Sequence, residues 1–409
     1  MATATVATAT NITRALVMLL GAAVFLNYVD RGAIAVAAPL MKGELGLTAT
    51  EFGTAVSAFF WIYAPVQLVV GWLCDRFSVY RLMAWGVVLW ALSTLMMGLV
   101  GGFLSLLILR VILGVGESVV FPASGKIIAR HVPAESRGLA NASCAAGIAL
   151  GPALGTLLGG MILASLGWRA IFLAFGLATL VWLLPWQRVV GELSVTGDAA
   201  REPMVPVRGL LRSRELWAMG IGHAAGNYGF YFLLAWLPLF LVQQRGFSIQ
   251  EMTLLASLGY AVQAVAALAI GGLSDRWTRS GRSEAAMRRW LLAIGQFLMA
   301  VCIVGIGISE DTIATGVLLC LAGVASASLS TNLYSVAQMF AGPRAAGTWI
   351  GIQNAVGNIS GILQPIIAGI LIDRSGYDGA FYLAAGVAAF GGLWWIVGVP
   401  RIAQVIPND

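Results

Sequence analysis

Long apolar runs, separated by short polar segments, dominate the sequence from its start to its end. A helix needs about 20 mostly apolar residues to cross the hydrocarbon core of a bilayer, and twelve runs meet that requirement. The predicted membrane helices cover residues 15–39, 51–74, 82–101, 104–129, 138–165, 170–187, 216–241, 250–273, 289–308, 313–340, 346–372 and 380–399. The pattern therefore predicts an all-α membrane protein with twelve transmembrane helices.

Composition supports a membrane protein and excludes other classes. Of the 409 residues, 59% are hydrophobic and only 10% are charged, whereas a soluble chain has about 25% charged residues. The mean hydropathy is +0.87. These values exclude a soluble enzyme, a nucleic-acid-binding protein and a disordered chain. Residues 1–13 carry no charge and lack the basic start of a cleavable signal, so we expect the first helix to be retained.

The distribution of basic residues predicts the orientation in the membrane. With the N-terminus in the cytoplasm, 18 of the 24 Lys and Arg residues fall in cytoplasmic segments, two fall inside helices, and four lie in external loops: Lys42, Arg169, Arg245 and Arg374. This bias follows the positive-inside rule. We expect both termini in the cytoplasm and a bacterial inner membrane as the location, with the net charge of +6 reflecting topology rather than nucleic-acid binding.

The chain repeats itself at an offset of 200 residues. Gly71-x-x-x-Asp75-Arg76 recurs as Gly271-x-x-x-Asp275-Arg276, and Asn27-Tyr28 recurs as Asn227-Tyr228. Parallel repeats of this kind are found in secondary transporters. We therefore predict an N-terminal six-helix bundle, a cytoplasmic linker and a C-terminal six-helix bundle, at residues 1–188, 189–213 and 214–409.

Several short motifs match those of one known family. They are Gly71 to Arg81 with a weaker copy at Gly271 to Arg282, Asn27-Tyr-Val-Asp-Arg31, Phe60-Trp-Ile-Tyr63, Arg110-x6-Glu117-x3-Phe121-Pro122, Gly342-Pro-Arg344, Gln353-Asn354 and Gly357-Asn358. With these motifs the chain resembles the major facilitator superfamily, and within it the anion:cation symporter family. The resemblance implies two pseudo-symmetric bundles that work by alternating access and import a small organic anion, such as a sugar acid, together with protons.

Four charged side chains lie well inside predicted membrane helices: Asp30, Arg31, Arg110 and Glu117. A charged residue at a helix centre costs about 2.5–3.5 kcal/mol on insertion scales, so these groups need pairing, water or a function. Arg110 and Glu117 are seven residues apart and share one helix face, with a rise of about 10 Å between them. The depths of Asp30 and Arg110 are comparable, so Arg110 is predicted to reach Asp30.

The chemistry of these four groups suggests their roles. Arginine presents a planar fork that suits a carboxylate, so Arg31 is predicted to hold the substrate carboxylate. Asp30 and Glu117 are predicted to carry protons, with Arg110 at the substrate site tuning Asp30. Matching positions in the family carry such roles. The alternative is a permanent salt-bridge network that only orients helices 1 and 4.

Neutral polar residues provide further candidates for substrate binding. In helix 7, Phe230-Tyr231 replaces the Asp30-Arg31 of helix 1. Binding of the substrate charge and proton transfer are therefore predicted for the N-terminal half, and recognition of hydroxyl groups for the C-terminal half. The candidates are Tyr28, Tyr63, Asn227, Tyr228, Tyr231, Thr331, Tyr334, Gln353, Asn354 and Asn358. For each, a hydrogen bond between helices is the alternative.

Two further motifs have conformational interpretations. By family resemblance, Asp75, Arg76 and Arg81 form a latch that holds the outward-open state, and simple topology is the alternative. A stripe of glycines in helix 5 favours close helix packing, which we predict at the surface between the halves. The stripe consists of Gly147, Gly151, Gly155 and Gly159.

Other functions remain as alternatives. A proton-coupled exporter of a metabolite or drug could use the same acids, although Arg31 and Arg110 argue against cationic drugs. A membrane sensor or a membrane enzyme is a further alternative, but no nucleophile–base pair is evident. Four cysteines without metal-type spacing and two histidines predict no metal site and no cofactor. The expected partners are the anion, protons and membrane lipids, and the expected state is a monomer.

Overall fold

The computed structural model describes residues 2–132, 137–192 and 207–405, and these residues form helices without a β-strand. Twelve helical spans in this part of the chain are long and apolar enough to cross a membrane, which confirms the predicted number. The helices are α1 Ala2–Glu44, α2 Ala49–Arg76, α3 Val79–Met97, α4 Phe103–Glu117, α5 Val120–His131, α6 Arg137–Leu166, α7 Trp168–Glu192, α8 Val207–Leu210, α9 Arg214–Leu239, α10 Ile249–Arg279, α11 Glu284–Ile308, α12 Thr312–Gly357, α13 Ile359–Ser375 and α14 Tyr377–Val397, with a π-helical turn, Phe240–Gln244, after α9.

The fourth predicted membrane helix is locally distorted near its middle but continues as one span, Phe103–Ile128. α4 ends at Glu117 and α5 begins only at Val120. The hydroxyl of Ser118 donates a hydrogen bond to the carbonyl oxygen of Val115 at 2.7 Å, which offers the backbone an alternative to the regular helical bond. Glu117 is therefore the last residue of α4, at a local distortion that apolar periodicity does not reveal.

Helix α12 runs across the gap predicted between residues 340 and 346. The two membrane spans on either side are Thr312–Gly342 and Thr348–Ser375. Gly342 has φ 65° and ψ 175°, a left-handed φ that glycine adopts without the steric cost of a Cβ atom. The chain thus leaves helical geometry at Gly342 and bends there between the two spans.

Contacts group the chain into two compact units. Unit 1 contains residues 1–47, 58–201 and 248–253, and unit 2 contains residues 48–57, 202–247 and 254–409. The first turns of α2 thus belong to unit 2, whereas the rest of α2 belongs to unit 1. The first turn of α10 belongs to unit 1, and the rest of α10 belongs to unit 2. The bundle boundaries predicted from the sequence remain a prediction, and residues 193–206 of the predicted linker lie outside the described residues.

Helices α2 and α10 begin in the same way, 200 residues apart. The backbone N–H of Thr48 donates to Oε2 of Glu51 at 2.9 Å, and the N–H of Glu51 donates to Oγ1 of Thr48 at 3.1 Å. Ser248 and Glu251 repeat this reciprocal capping box at 2.8 and 3.2 Å. Each box satisfies two backbone donors at a helix start. These matched boxes add a third repeat at the offset of the first two.

The glycine stripe of α6 packs against α1. A Cβ atom on Gly151 would lie 2.6 Å from Cβ of Tyr28, and one on Gly155 would lie 2.9 Å from Cα of Val29. The prediction that the stripe lies at the surface between the halves is wrong, because α1 and α6 belong to the same unit. Glycine lets the two backbones approach closely, and this approach fixes the stretch of α1 that carries Asp30 and Arg31.

Candidate functional site

The four membrane-embedded charged residues all lie in unit 1. Glu117 is fully buried, Asp30 and Arg110 are 3% and 4% exposed, and the side chain of Arg31 retains 13% exposure. Arg110 lies near enough for its charge to act on Asp30 and on Glu117. The structure therefore brings the four residues into one cluster, in which Arg31 is the most exposed member.

Arg31 and Glu117 form a direct ion pair. Nε of Arg31 donates to Oε2 of Glu117 at 3.1 Å, across 86 residues of sequence. Oε1 of Glu117 accepts no hydrogen bond from the described residues. A charge-assisted pair of this kind offsets much of the cost of burying each charge. One arginine thus neutralises the most deeply buried carboxylate of the cluster.

Three aromatic rings surround the Arg31 guanidinium. Its Cζ lies 4.9 Å from the ring centroid of Tyr28, 4.7 Å from that of Tyr63 and 5.1 Å from that of Phe59. The negative faces of these rings attract the cation. The predicted residues Tyr28 and Tyr63 therefore lie at Arg31, and Phe59 is a neighbour that the sequence did not identify. Phe59 also contacts Arg110, whose Cζ lies 5.1 Å from its centroid.

Two side chains of helix α3 donate hydrogen bonds to the carboxylate of Asp30. Oδ2 of Asp30 accepts hydrogen bonds from the indole Nε1 of Trp90 and, at 2.8 Å, from the hydroxyl of Thr94. Oδ1 of Asp30 accepts none from the described residues. The sequence predicts Arg110 near this carboxylate, and neither Trp90 nor Thr94 is among the predicted site residues. A threonine and a tryptophan four residues apart on an apolar helix were the available signal, because they share one face.

A second polar cluster lies in unit 2, and the members that the structure describes are uncharged amide, hydroxyl and imidazole side chains. Nδ2 of Asn227 donates to the carbonyl oxygen of Gly357 at 3.2 Å and lies 3.1 Å from Nε2 of His223. Tyr231 donates its hydroxyl to Oδ1 of Asn358 at 2.8 Å. Three predicted candidates thus link α9 to the junction of α12 and α13.

The remaining candidates of unit 2 differ in exposure. Tyr334 is 39% exposed, lies edge-on to His223 and donates to Oδ1 of Asn354 at 3.4 Å. Gln353 is fully buried, with Nε2 3.4 Å from Nδ1 of His223. Thr331 donates its hydroxyl to the carbonyl oxygen of Ala327 within its own helix at 2.7 Å. Tyr334 is therefore the most accessible of these hydrogen-bonding groups.

His223 is a member of this cluster that the candidate set left out. It is buried at 3% exposure and contacts Asn227, Gln353 and Tyr334. A lone histidine in an apolar helix was the available signal. Tyr228, another candidate, is 8% exposed on the same helix.

The predicted latch is described only in part. The backbone of Asp75 lies in the last turn of α2, but its side chain lies outside the part that the structure describes. Arg76 and Arg81 are exposed, at the end of α2 and the start of α3. The role of these three residues stays a prediction.

The sequence is similar to a family model, to curated proteins and to solved structures. The model of the Major Facilitator Superfamily matches residues 20–284 and 280–407. The probable sulfoacetate transporter SauU of Cupriavidus necator is 30% identical, over 94% of this chain and 93% of its own length. The hexuronate transporter of Bacillus subtilis is 26% identical, over 90% of both chains. The D-galactonate transporter of Escherichia coli is 29% identical, over 93% of this chain and 94% of its own.

A solved structure shares the same fold. It is a bacterial homolog of the human lysosomal transporter Spinster in an inward-facing, occupied conformation, and it matches with a TM-score of 0.81 over 94% of this chain and 96% of that chain. Its sequence is only 18% identical, so this similarity concerns the fold alone. The family model covers nearly all of the sequence and agrees with the twelve helical spans. The chain therefore belongs to the Major Facilitator Superfamily, a family of membrane transporters and not of enzymes.

Proposed function

We propose that the protein is a symporter that imports a small organic anion, a sugar acid or a related carboxylate, together with protons by alternating access. The observation that carries the proposal is the Arg31–Glu117 pair, in which one partly exposed arginine neutralises a fully buried carboxylate. The relatives that transport sulfoacetate, hexuronate and D-galactonate support an anion as the substrate.

The pair supplies a physical basis for coupling. When Glu117 is ionised, it occupies the Arg31 fork, and a second carboxylate would have to compete for the same donors. When Glu117 takes up a proton, its charge is lost and Arg31 becomes available to an incoming carboxylate. Binding of the anion thus favours uptake of a proton, and release of the proton favours release of the anion, because the two equilibria are linked through one cation.

Asp30 is a second proton carrier in this proposal. Its carboxyl group is held by Trp90 and Thr94 and lies under the field of Arg110. Aromatic faces around Arg31 exclude water and strengthen its interaction with an anion. We place both termini in the cytoplasm of a bacterial cell, the protein in the inner membrane, and the monomer as the transporting species with lipid around it.

The proposal is tested by uptake into proteoliposomes from a panel of organic acids under an imposed pH gradient. The panel contains a hexuronate, an aldonate, sulfoacetate and a neutral hexose, each measured with the gradient present, collapsed and reversed. We expect at least one acid to accumulate only when the gradient drives protons inward, and the neutral hexose to remain outside. Accumulation without a gradient, or accumulation driven by an outward one, would overturn symport and favour the exporter.

A further inference from the structure

Asn27 in α1 has a buried amide that the described contacts of unit 1 leave without a partner. The residue is fully buried, and neither Nδ2 nor Oδ1 forms a hydrogen bond with the described residues. An amide can donate two hydrogen bonds and accept others, and a buried polar group without a partner is costly unless water or a ligand serves it. The matching Asn227 of unit 2 donates to the carbonyl oxygen of Gly357. This helix position therefore does not by itself leave an amide unpaired.

Asn27 lies between the two charged residues of α1 on the helix surface. Successive residues of an α-helix are about 100° apart, so Asp30 lies about 60° to one side of Asn27 and Arg31 about 40° to the other, roughly one turn further along. Asp30 accepts its hydrogen bonds from α3, whereas Arg31 donates to Glu117 of α4. Asn27 is therefore on the face of α1 that is turned towards α3 and α4.

Close packing of α3 against α4 brings the two carboxyl groups near each other. A Cβ on Gly116 would lie 2.6 Å from the backbone nitrogen of Trp90. Gly116 precedes Glu117, and Trp90 donates to Asp30, so this backbone contact is next to both carboxyl groups. The charge of Asp30 acts on Glu117. Oδ1 of Asp30 and Oε1 of Glu117, like the amide of Asn27, form no hydrogen bond with the described residues.

Water is the ligand that fits these groups. A buried water forms about three hydrogen bonds to polar groups that otherwise lack a partner. It can accept one from Nδ2 of Asn27 and donate to a carboxyl oxygen, because it is both a donor and an acceptor. A cation would add a charge without a partner, since Arg31 and Arg110 already balance Asp30 and Glu117, and the side chains of α3 that donate to Asp30 are neutral.

We propose that Asn27 positions a buried water that passes a proton between the carboxyl groups of Asp30 and Glu117. When Asp30 is protonated and Glu117 is ionised, Oδ1 of Asp30 gives its proton to the water, and the water gives one of its own protons to Oε1 of Glu117. The water is regenerated, Asp30 becomes ionised and Glu117 becomes neutral. The inference rests on the proposed function, because it assigns the route by which Glu117 receives the proton that frees Arg31.

Infrared difference spectroscopy tests for the water without depending on transport. Spectra of the purified protein are recorded at high and low pH, in ordinary water and in water labelled with heavy oxygen, which shifts the O–H stretch of water but not that of protein groups. We expect a water band that changes with pH and disappears in the double variant Asp30→Asn/Glu117→Gln. Asn27→Leu keeps the side-chain volume and removes the amide, so it should lose the band. Asn27→Ser keeps a hydroxyl and should retain it.

Gln364→Leu is the matched control. Gln364 of α13 is also fully buried, and neither of its amide atoms forms a hydrogen bond with the described residues, but it belongs to unit 2. The water band should be unchanged in this variant. Absence of the band from the wild type, its persistence in Asn27→Leu, or its loss in Gln364→Leu as well would each overturn the proposal.

Transport measurements provide the second arm. In Asn27→Leu, accumulation driven by a pH gradient should fall about tenfold or more, because the proton transfer loses its positioned water. Affinity for the acid and substrate-for-substrate exchange should stay at wild-type levels, and Asn27→Ser should recover most of the accumulation. Normal accumulation in Asn27→Leu, or equal losses of affinity and accumulation, would assign Asn27 to packing alone. Failure of every acid to accumulate in the wild type would overturn the proposed function but would leave the infrared test intact.

Discussion

The two units use the same repeated scaffold for opposite electrostatic purposes. Unit 1 concentrates its buried charge around Arg31, which pairs with Glu117 under three aromatic rings. Unit 2 has Tyr231 at the matching position, and Tyr231 bonds to the amide of Asn358. Charged groups are expensive in the membrane only when they lack partners. Collecting Asp30, Arg31, Arg110 and Glu117 in unit 1 lets these charges neutralise each other, whereas the buried Arg288 of unit 2 pairs with Glu284 in the first turn of α11.

Two asparagines at matching positions, Asn27 in α1 and Asn227 in α9, show the same contrast between the units. Asn227 of unit 2 donates to the carbonyl oxygen of Gly357. Asn27, at the same place in unit 1, is fully buried, and neither atom of its amide forms a hydrogen bond with the described residues. Buried amides without partners are costly unless water or a ligand serves them. The neutral unit is therefore internally satisfied at this position, whereas the charged unit is not.

The largest expected effect comes from removing the cation of unit 1. Arg31→Ala should abolish uptake and weaken anion binding by about 2–5 kcal/mol, the usual cost of breaking a buried charged pair. Arg31→Lys should restore little, because a point charge cannot reproduce the planar fork. Equilibrium binding of the transported acid to purified protein gives the measurement.

A folding defect must be separated from this loss. The double variant Arg31→Ala/Glu117→Gln removes both charges, so it leaves no buried carboxylate without its partner. Its thermal unfolding should match that of the wild type while anion binding stays weakened. Wild-type affinity in either variant would move the carboxylate site away from unit 1.

Neutralising the acid of the pair should separate coupling from binding. Glu117→Gln mimics the protonated form, so pH-driven accumulation should be lost while substrate binding and substrate-for-substrate exchange continue. Uptake, exchange and affinity are measured in one membrane preparation. Continued accumulation against a concentration gradient in response to pH would favour a purely structural salt bridge.

Removing a hydrogen-bond donor to Asp30 on α3 should change proton coupling less than the loss of Arg31 or Glu117. Thr94→Val removes a hydrogen bond that stabilises the ionised Asp30, so the carboxyl group should keep its proton to higher pH. The pH at which uptake is half-maximal should then rise by about one unit. Ser93→Ala provides a matched control, because that hydroxyl bonds to the carbonyl oxygen of Leu89 and not to Asp30. A lower rate with an unchanged pH profile would assign Thr94 to packing only.

The smallest effect is expected in unit 2. Tyr231→Phe removes the hydroxyl that bonds to Asn358 at 2.8 Å, so affinity for a hydroxylated acid should fall about threefold to tenfold. The pH profile of uptake should not change, since no titrating group of unit 1 is touched. A shifted pH profile of uptake in this variant would contradict the assignment of proton coupling to unit 1 and hydroxyl recognition to unit 2.

The sequence predicted the twelve helices and much of the site because both rest on strong signals. Long apolar runs define membrane helices, and a charge inside such a run is conspicuous, which revealed Arg31 and Glu117. Trp90, Thr94 and Phe59 were missed because neutral residues in an apolar helix look alike, and only tertiary packing decides which of them faces a carboxylate. The pairing partner of each charge depends on that packing for the same reason.

The sequence does not predict the distortion of the backbone after Glu117, nor which helix packs against the glycines of α6. The local distortion after Glu117 coincides with a hydroxyl–carbonyl bond at Ser118, and a serine there fits a regular helix equally well. The glycine spacing in α6 correctly indicated close packing, but spacing does not identify the neighbouring helix, and the structure shows α1.

The close approach of α1 and α6 has a consequence for how the protein tolerates variation. At Gly151 the helices meet with no room for one more methyl group, and the next turn of α1 carries Asp30 and Arg31. A substitution at this glycine would displace the charged residues without touching any ligand. Inherited or selected variants at Gly151 would then show lost transport in a folded protein, and a genetic screen would class that position with the binding site.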